Sequence, residues 1–213
     1  MVDPTTTSIS TREVSEQVME ALLTELAVYA AKSCAPPFTS TTDVNKEQDR
    51  DNEYDDDDDP EEAATVAAEM AAAKLERMGH ATGYRLTERL AQNKTWNVTQ
   101  PGQDAATATA AQQLEAVKFL CKEVWMQVFN KQIDKLQTNH RGVFVLKDLE
   151  LTWLTRFPVQ TEQSRVAAIR LLAFPCGIVR GCLANLGIPS VVSCDFLADG
   201  QNMAACSFNI KVK

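Results

Sequence analysis

Apolar positions recur every three or four residues over four stretches of the chain and every second residue over two others. This alternation of periods predicts helices first and strands later. In the first stretch Val14, Val18, Leu22 and Leu26 fall four apart, and Met19, Leu23 and Tyr29 widen the stripe. Ser10 with Glu13 three residues on reads as a capping box for a helix from about Thr11 to Lys32, and Pro36 and Pro37 forbid its continuation. The second helix starts at Asp59-Pro60-Glu61-Glu62, where a capping carboxylate, a proline at the first helical position and two acids suit the positive helix end. An alanine-rich run carries it through Leu75, Met78, Leu86 and Leu90 to about Asn93. Residues 94 to 110 read as a loop with a Pro101-Gly102 turn, which Trp96 pins to the core or to an interface. A third helix is predicted from Ala111 to Leu136, its stripe formed by Leu114, Val117, Cys121, Val124 and Val128 together with Leu120, Trp125 and Ile133.

The period then falls to two. Residues 142–147 and 149–157 read as an antiparallel hairpin with Leu149, Leu151, Trp153 and Phe157 on one face. Helix returns from Thr161 to Leu186, kinked or restarted at Pro175 and capped by Gly187. In a closing hairpin about Asp199-Gly200, Val192, Cys194 and Phe196 alternate with polar neighbours, and Ala204, Cys206, Phe208, Ile210 and Val212 face the core, while Ser207, Asn209, Lys211 and Lys213 face water. The order α-α-α-β-β-α-β-β makes an α+β domain of two hairpins with helices packed on them.

Two helices carry glycine at four-residue spacing, Gly79 with Gly83 and Gly177 with Gly181. Each costs about 1 kcal/mol relative to Ala inside a helix. A helix keeps two on one face where another backbone comes very close. The two segments are therefore expected to be close-packed parts of one core or one interface.

Charge singles out one segment. Between Asp43 and Glu62 lie twelve carboxylates against Lys46 and Arg50, a net of −10, whereas the whole chain is −8, leaving about +2 elsewhere. Residues 33–59 read as an acidic, disordered insertion between helices one and two. The rest is near neutral, which argues against a nucleic-acid surface. The six cysteines form no CxxC pair, and no histidine stands at zinc-ligand spacing from them. No secretory signal and no bilayer-length apolar run is read, so a cytosolic protein with reduced thiols is expected. No GxSxG elbow, phosphate loop, GxGxxG or HExxH occurs, and the two histidines, His80 and His140, assemble with no nucleophile or ligand set. Neither an active site, a cofactor site nor a metal site is expected.

Three stretches carry a family resemblance. Cys176-Gly177-Ile178-Val179-Arg180-Gly181 resembles the CGxxRG of the last helix in the small transport protein particle (TRAPP) subunits of the Bet-three superfamily. Met78 to Glu88 resembles their MGxxxGxRLxE second helix, and Val117 to Trp125 running on to Thr138-Asn139-His140 resembles the branch of subunit six, or Trs thirty-three. The resemblance implies the Bet-three fold and a non-catalytic subunit of a vesicle-tethering complex that acts as a guanine-nucleotide exchange factor for a Rab GTPase in ER-to-Golgi and Golgi traffic. It implies pairing with a Bet-three-type subunit through helices one and two, assembly with other small TRAPP subunits, and peripheral membrane association through the complex. On that basis Val14, Val18, Leu22, Leu26, Leu75, Met78 and Leu86 are expected at a heterodimer interface; each could equally be intrachain core. Cys176 and Arg180 belong to the family motif, with Arg180 expected to reach a helix end or a carboxylate. The chain departs from Bet-three subunits proper around Thr107 to Ala111, where no cysteine stands for acylation. A hydrophobic-ligand module using a cavity beside helices three and four is the alternative.

Overall fold

The computed structural model describes residues 16–34, 60–92, 94–96, 105–139, 141–154, 162–197 and 204–213. Two long helices, α1 (Glu16–Cys34) and α2 (Pro60–Ala91), are followed by α3 (Ala105–Phe119). One π-helical turn (Leu120–Val124) joins α3 to the short α4 (Trp125–Phe129). Next come β1 (Lys135–Thr138), β2 (Val143–Asp148) and a single 3-10 turn (Thr152–Leu154). The chain closes with α5 (Glu162–Asn185), β3 (Ser190–Phe196) and β4 (Cys206–Val212). The strands form one antiparallel sheet in the order β1-β2-β4-β3. Mixed helix and antiparallel sheet is the predicted class. The two hairpins are one sheet, however, because β2 pairs with β4, with Phe144 opposite Ile210 and Leu146 opposite Phe208.

The middle of the chain differs from its sequence reading. The 94–110 loop is shorter, since Ala105 to Ala111 is helical, as its run of alanines favours. The third helix stops at Phe129 rather than Leu136, because Asn130 takes the left-handed conformation (φ 55°) and its N–H bonds back to Met126 O. The first hairpin lies one strand earlier than predicted. Leu136 is in β1, and the segment after Asp148 leaves the sheet. There Leu149 is exposed while Leu151, Trp153 and Leu154 are buried, so the proposed shared face does not form. The N–H of Leu151 bonds to Ala204 O and that of Leu154 to Leu151 O, which satisfies backbone that a strand partner would have satisfied. Phe157 lies outside the described residues, as do Val14, the Ser10 cap, Asp59, Asn93, His140, the Asp199-Gly200 turn and residues 35–59 of the acidic stretch.

Other expectations meet the structure directly. α5 runs through Pro175 without a fresh start. Gly187 has φ +75°; its N–H bonds to Ala184 O at 3.1 Å and the next N–H, of Ile188, to Leu183 O at 2.8 Å, the two bonds of a Schellman cap. Cys206, Phe208 and Ile210 are fully buried, but Ser207 is buried too, because β4 is an inner strand with β2 and β3 on either side. Trp96 packs edge-on against Phe119 at 5.3 Å. The core is threaded by rings, with Trp125 against Phe129 (4.4 Å) and Phe208 (5.1 Å), and Phe129 against Trp153 (4.4 Å).

The π turn left no trace in the hydrophobic pattern. There the N–H of Trp125 bonds to Leu120 O, five residues back, which releases the carbonyl of Cys121. That carbonyl accepts from Ile133 N–H at 3.1 Å and so ties the helix to the segment entering β1.

A polar cluster closes this end of the core. Asp148, fully buried, accepts from Trp125 Nε1 at 2.8 Å, Lys131 Nζ at 2.7 Å and the backbone N–H of Glu150 at 3.1 Å. Lys131 also donates to Asp134 at 3.1 Å, and Asp134 accepts from Leu149 N–H at 2.8 Å. Burial acts to lower the Lys131 pKa, but the hydrogen bonds and charges of Asp148 and Asp134 outweigh it and hold it above the usual lysine value. Burial acts to raise Asp134, and the Leu149 N–H together with Lys131 and Lys135 outweighs it, so this carboxyl titrates below its usual range. A depressed carboxyl stabilises above its unfolded pKa and loses that contribution as pH falls through the folded one; a raised lysine stabilises below its unfolded pKa and loses it as pH rises through the folded one. Melting temperature against pH should therefore show a plateau bounded by the ordinary carboxylate and lysine ranges. Asp134→Asn should flatten its acid limb, and an unchanged acid limb would remove Asp134 from the account.

Candidate protein interface

The helix that carries the candidate surface is held by the glycines. α2 and α5 lie parallel, and their four glycines meet backbone to backbone. A Cβ built at Gly79 would fall 3.0 Å from the Phe174 carbonyl carbon, and one at Gly83 2.8 Å from Ile178 Cα. On the other helix, a Cβ at Gly177 would lie 2.9 Å from His80 N and one at Gly181 2.8 Å from the His80 carbonyl carbon. The carbonyl oxygens of Phe174, Ile178, Glu76 and His80 are nearer still. Every position is thus reserved for hydrogen, which is the physical reason for glycine at all four. Among the described residues the α2–α5 seam is the most extensive helix contact. Within it, Cys182 Sγ donates to Gly83 O at 3.3 Å, and Arg180 Nη1 reaches Glu76 Oε1 of α2 at 3.0 Å. Arg180 therefore bridges the seam, the carboxylate partner expected for it, and Cys176 beside Gly177 is buried.

α1 rests on α2. Ala30 is fully buried and Leu26 packs part-buried on the core, while Lys74 of α2 lies 4.4 Å from the centre of the Tyr29 ring. Nearer the N-terminus of α1 the same stripe is left in solvent, with Val18 57% and Leu22 59% exposed. The N-terminal third of α2 presents Val66 and Met70 to solvent as well, and α5 presents Ile169. Large apolar residues placed i, i+4 on two neighbouring helices and left in water are the mark of a helix face awaiting another protein.

The expected interface set divides accordingly. Val18 and Leu22 stand on the open face. Leu75, expected at the interface, is 1% exposed and belongs instead to the chain's own core, because its position on α2 points into the bundle. Leu26, Met78 and Leu86 are part-buried against that core. Val66, Met70 and Ile169 escaped the sequence reading. Val66 and Met70 sit four apart in the alanine run, and that spacing was the available signal.

Little else offers a site. A cleft of about 180 Å³ lies between α3 and the β1–β2 hairpin, lined by Thr107, Ala110, Ala111, Leu114, Thr138 and Phe144. It is smaller than the 300–1,000 Å³ usual for ligand sites, and no cysteine lines it. Cys121, two turns further along, is buried in the π turn, and burial pushes its thiol up to about 12, where it is unreactive at neutral pH. Among the described residues no three His, Cys, Asp or Glu side chains converge to hold a metal ion.

Comparison with known proteins gives a consistent picture. The family profile described as "Transport protein particle (TRAPP) component" matches residues 19–213. The chain is 38% identical over 140 residues to trafficking protein particle complex subunit 6B of Homo sapiens, covering 66% of this chain and 77% of that protein. It is 36% identical over 145 residues to subunit 6A of Homo sapiens, covering 68% and 79%. Among solved structures, a trafficking protein particle complex subunit 3 from Naegleria fowleri, covalently bound to palmitic acid, superposes with a TM-score of 0.55 at 12% identity, over 92% of this chain and 96% of that one.

Proposed function

Since the chain belongs to the TRAPP component family, in its subunit-six branch, we propose that it is a non-catalytic structural subunit that joins a Bet-three-type subunit through α1 and α2. The observation that carries this reading is two exposed apolar pairs, Val18 with Leu22 on α1 and Val66 with Met70 on α2, the helix on which α1 packs. A partner presenting a similar helix pair would complete a four-helix layer and bury both stripes, with the hydrophobic effect supplying roughly 25 cal/mol per Å² of apolar surface covered. The rigid α2–α5 seam supports it further, because it fixes the direction of α2 before any partner arrives and so lowers the ordering cost of association.

Through that pairing the chain enters a TRAPP assembly with other small subunits. The assembly exchanges guanine nucleotide on a Rab GTPase and tethers vesicles in ER-to-Golgi and Golgi traffic. The chain reaches the Golgi and ER–Golgi membranes peripherally, from the cytoplasm and through the complex. Affinity capture of the tagged chain from its own cells, with the captured proteins identified and quantified by mass spectrometry, tests this role. Stoichiometric recovery of small TRAPP subunits is expected. Recovery of the chain alone would remove the scaffold role.

A further inference from the structure

The sheet has two open edges, and they are not alike. β1 is four residues long and carries Lys135, a short charged edge of the kind that resists pairing with another chain. β3 is seven residues, SVVSCDF, with neither lysine nor proline in it. Its hydrogen bonds fix which way each amide points. The N–H of Leu197 bonds to Ala205 O at one end of the β3–β4 ladder, and that of Lys213 to Pro189 O at the other. Bonded pairs alternate with unbonded ones in an antiparallel ladder. The backbone groups of Val191, Ser193 and Asp195 are therefore the ones that bond to Lys211, Asn209 and Ser207. Those of Ser190, Val192, Cys194 and Phe196 point the other way, where no strand lies among the described residues. Their side chains share the inward face, and the cover there is incomplete. Cys206, Phe208 and Ile210 of β4 are fully buried, whereas Val192, Cys194 and Phe196 are only part-buried. Ser190 Oγ is buried with no hydrogen-bond partner among the described residues. On the outward face Val191 is half exposed, and the Asp195 carboxylate accepts from Asn209 Nδ2 at 2.7 Å but forms no ion pair among the described residues.

We propose that the β3 edge is a second docking surface, which takes an extended segment of another protein as a fifth strand. A backbone edge commits its occupant to strand conformation, because only an extended chain presents N–H and C=O groups at matching intervals. The facing residues commit its chemistry. Opposite Val192, Cys194 and Phe196 the occupant is apolar, and it extends the inward sheet face over the open side of the core. Opposite Ser190 it carries a hydroxyl or amide, which gives the buried Ser190 Oγ its partner. On the outward face it sets a lysine or arginine against Asp195. A second copy of β3 does not meet this pattern, since β3 holds no cation to face Asp195. The surface shares no residue with the apolar pairs of α1 and α2, so occupation of one is separable from occupation of the other.

The probe is a synthetic peptide, acetyl-Val-Lys-Val-Thr-Val-Thr-Thr-amide, which in antiparallel pairing meets β3 from Phe196 back to Ser190. Backbone amide exchange is followed residue by residue on the full chain, alone and with the peptide at millimolar concentration. Alone, Val192, Cys194 and Phe196 should exchange fast and Val191, Ser193 and Asp195 slowly. With the peptide the first three should slow by at least about tenfold. The same peptide N-methylated at its three valines offers β3 no N–H there and should lose the effect. Replacing its lysine by glutamate should weaken binding about two- to fivefold. Val192→Pro removes an edge N–H without removing a bond to β4, so it should abolish the peptide effect, with the melting curve measured alongside. The Val18→Asp/Leu22→Asp variant should bind the peptide unchanged, which keeps this result apart from the α1–α2 interface. No slowing with the peptide, or slowing indifferent to N-methylation, would overturn the proposal. So would edge amides already slow in the free chain, which would assign the edge to the chain's own residues. Slowing that rises with the concentration of the chain itself would overturn it in favour of a second copy. The methylated peptide acts on unaltered protein and decides even where Val192→Pro fails to fold.

Discussion

Replacing Gly83 by alanine should lower stability by about 3 kcal/mol, although the same change in an open helix would raise it by about 1 kcal/mol. The new methyl would sit 2.8 Å from Ile178 Cα and nearer still to its carbonyl oxygen, and both are backbone atoms. No rotamer change can relieve that contact. The helices must separate, and separation strips the packing around Ala71, Leu75, Leu171 and Ile178, all buried beside the seam. For a chain of this length each kcal/mol corresponds to roughly 2–4 °C, so the melting temperature should fall by roughly 6–12 °C. Gly187→Ala is the informative comparison. Nothing lies within 4 Å of a Cβ there, and only the φ of +75° opposes the change, so about 1–2 kcal/mol is expected. Equal losses at the two sites in thermal melts would mean that close approach of α2 and α5 is not what the glycines serve.

The second large effect concerns association rather than folding. Val18→Asp with Leu22→Asp should leave the melting temperature of the isolated chain nearly unchanged, because both side chains are more than half exposed and surface changes of this kind stay within about 0.5 kcal/mol. Binding to a Bet-three-type partner should weaken by at least about 100-fold, or about 2.7 kcal/mol, since two carboxylates would be carried into an apolar interface without counter-ions. Titration calorimetry against the partner, with the melting curve measured alongside, separates the two. Retained affinity in a folded double variant would place the partner elsewhere on the surface.

Comparison of these two effects shows what a sequence of this kind discloses. Both glycine pairs were legible because glycine in a helix is costly and four-residue spacing puts the cost on one face. Gly187 was legible as a cap, Pro60 as a first helical residue and β4 by its strict alternation. Non-local choices were not legible. The pairing of β2 with β4 joins residues 58 to 68 positions apart, from Asp148↔Cys206 to Val143↔Lys211, and β1 is a short edge strand, KLQT, with no apolar alternation to mark it. The apolar residues after Asp148 alternate like a strand, yet they plug the core as a 3-10 turn because Asp148, held by Trp125 and Lys131, redirects the chain. The same limit governs the interface. A helical stripe states that a face is covered without stating which molecule covers it, so Leu75 and Leu22 look alike in sequence and differ fully in exposure, 1% against 59%. Val66 and Met70 were masked by the alanines around them.

The central claim is that the open α1–α2 face is closed by a second small subunit. The most direct measurement is sedimentation equilibrium on the chain co-expressed with a Bet-three-type subunit from the same organism. A single species with the summed mass of one copy of each, dissociated in the Val18→Asp/Leu22→Asp variant, is the expected result. Two independent monomers at micromolar concentration, or a complex indifferent to that double substitution, would contradict it.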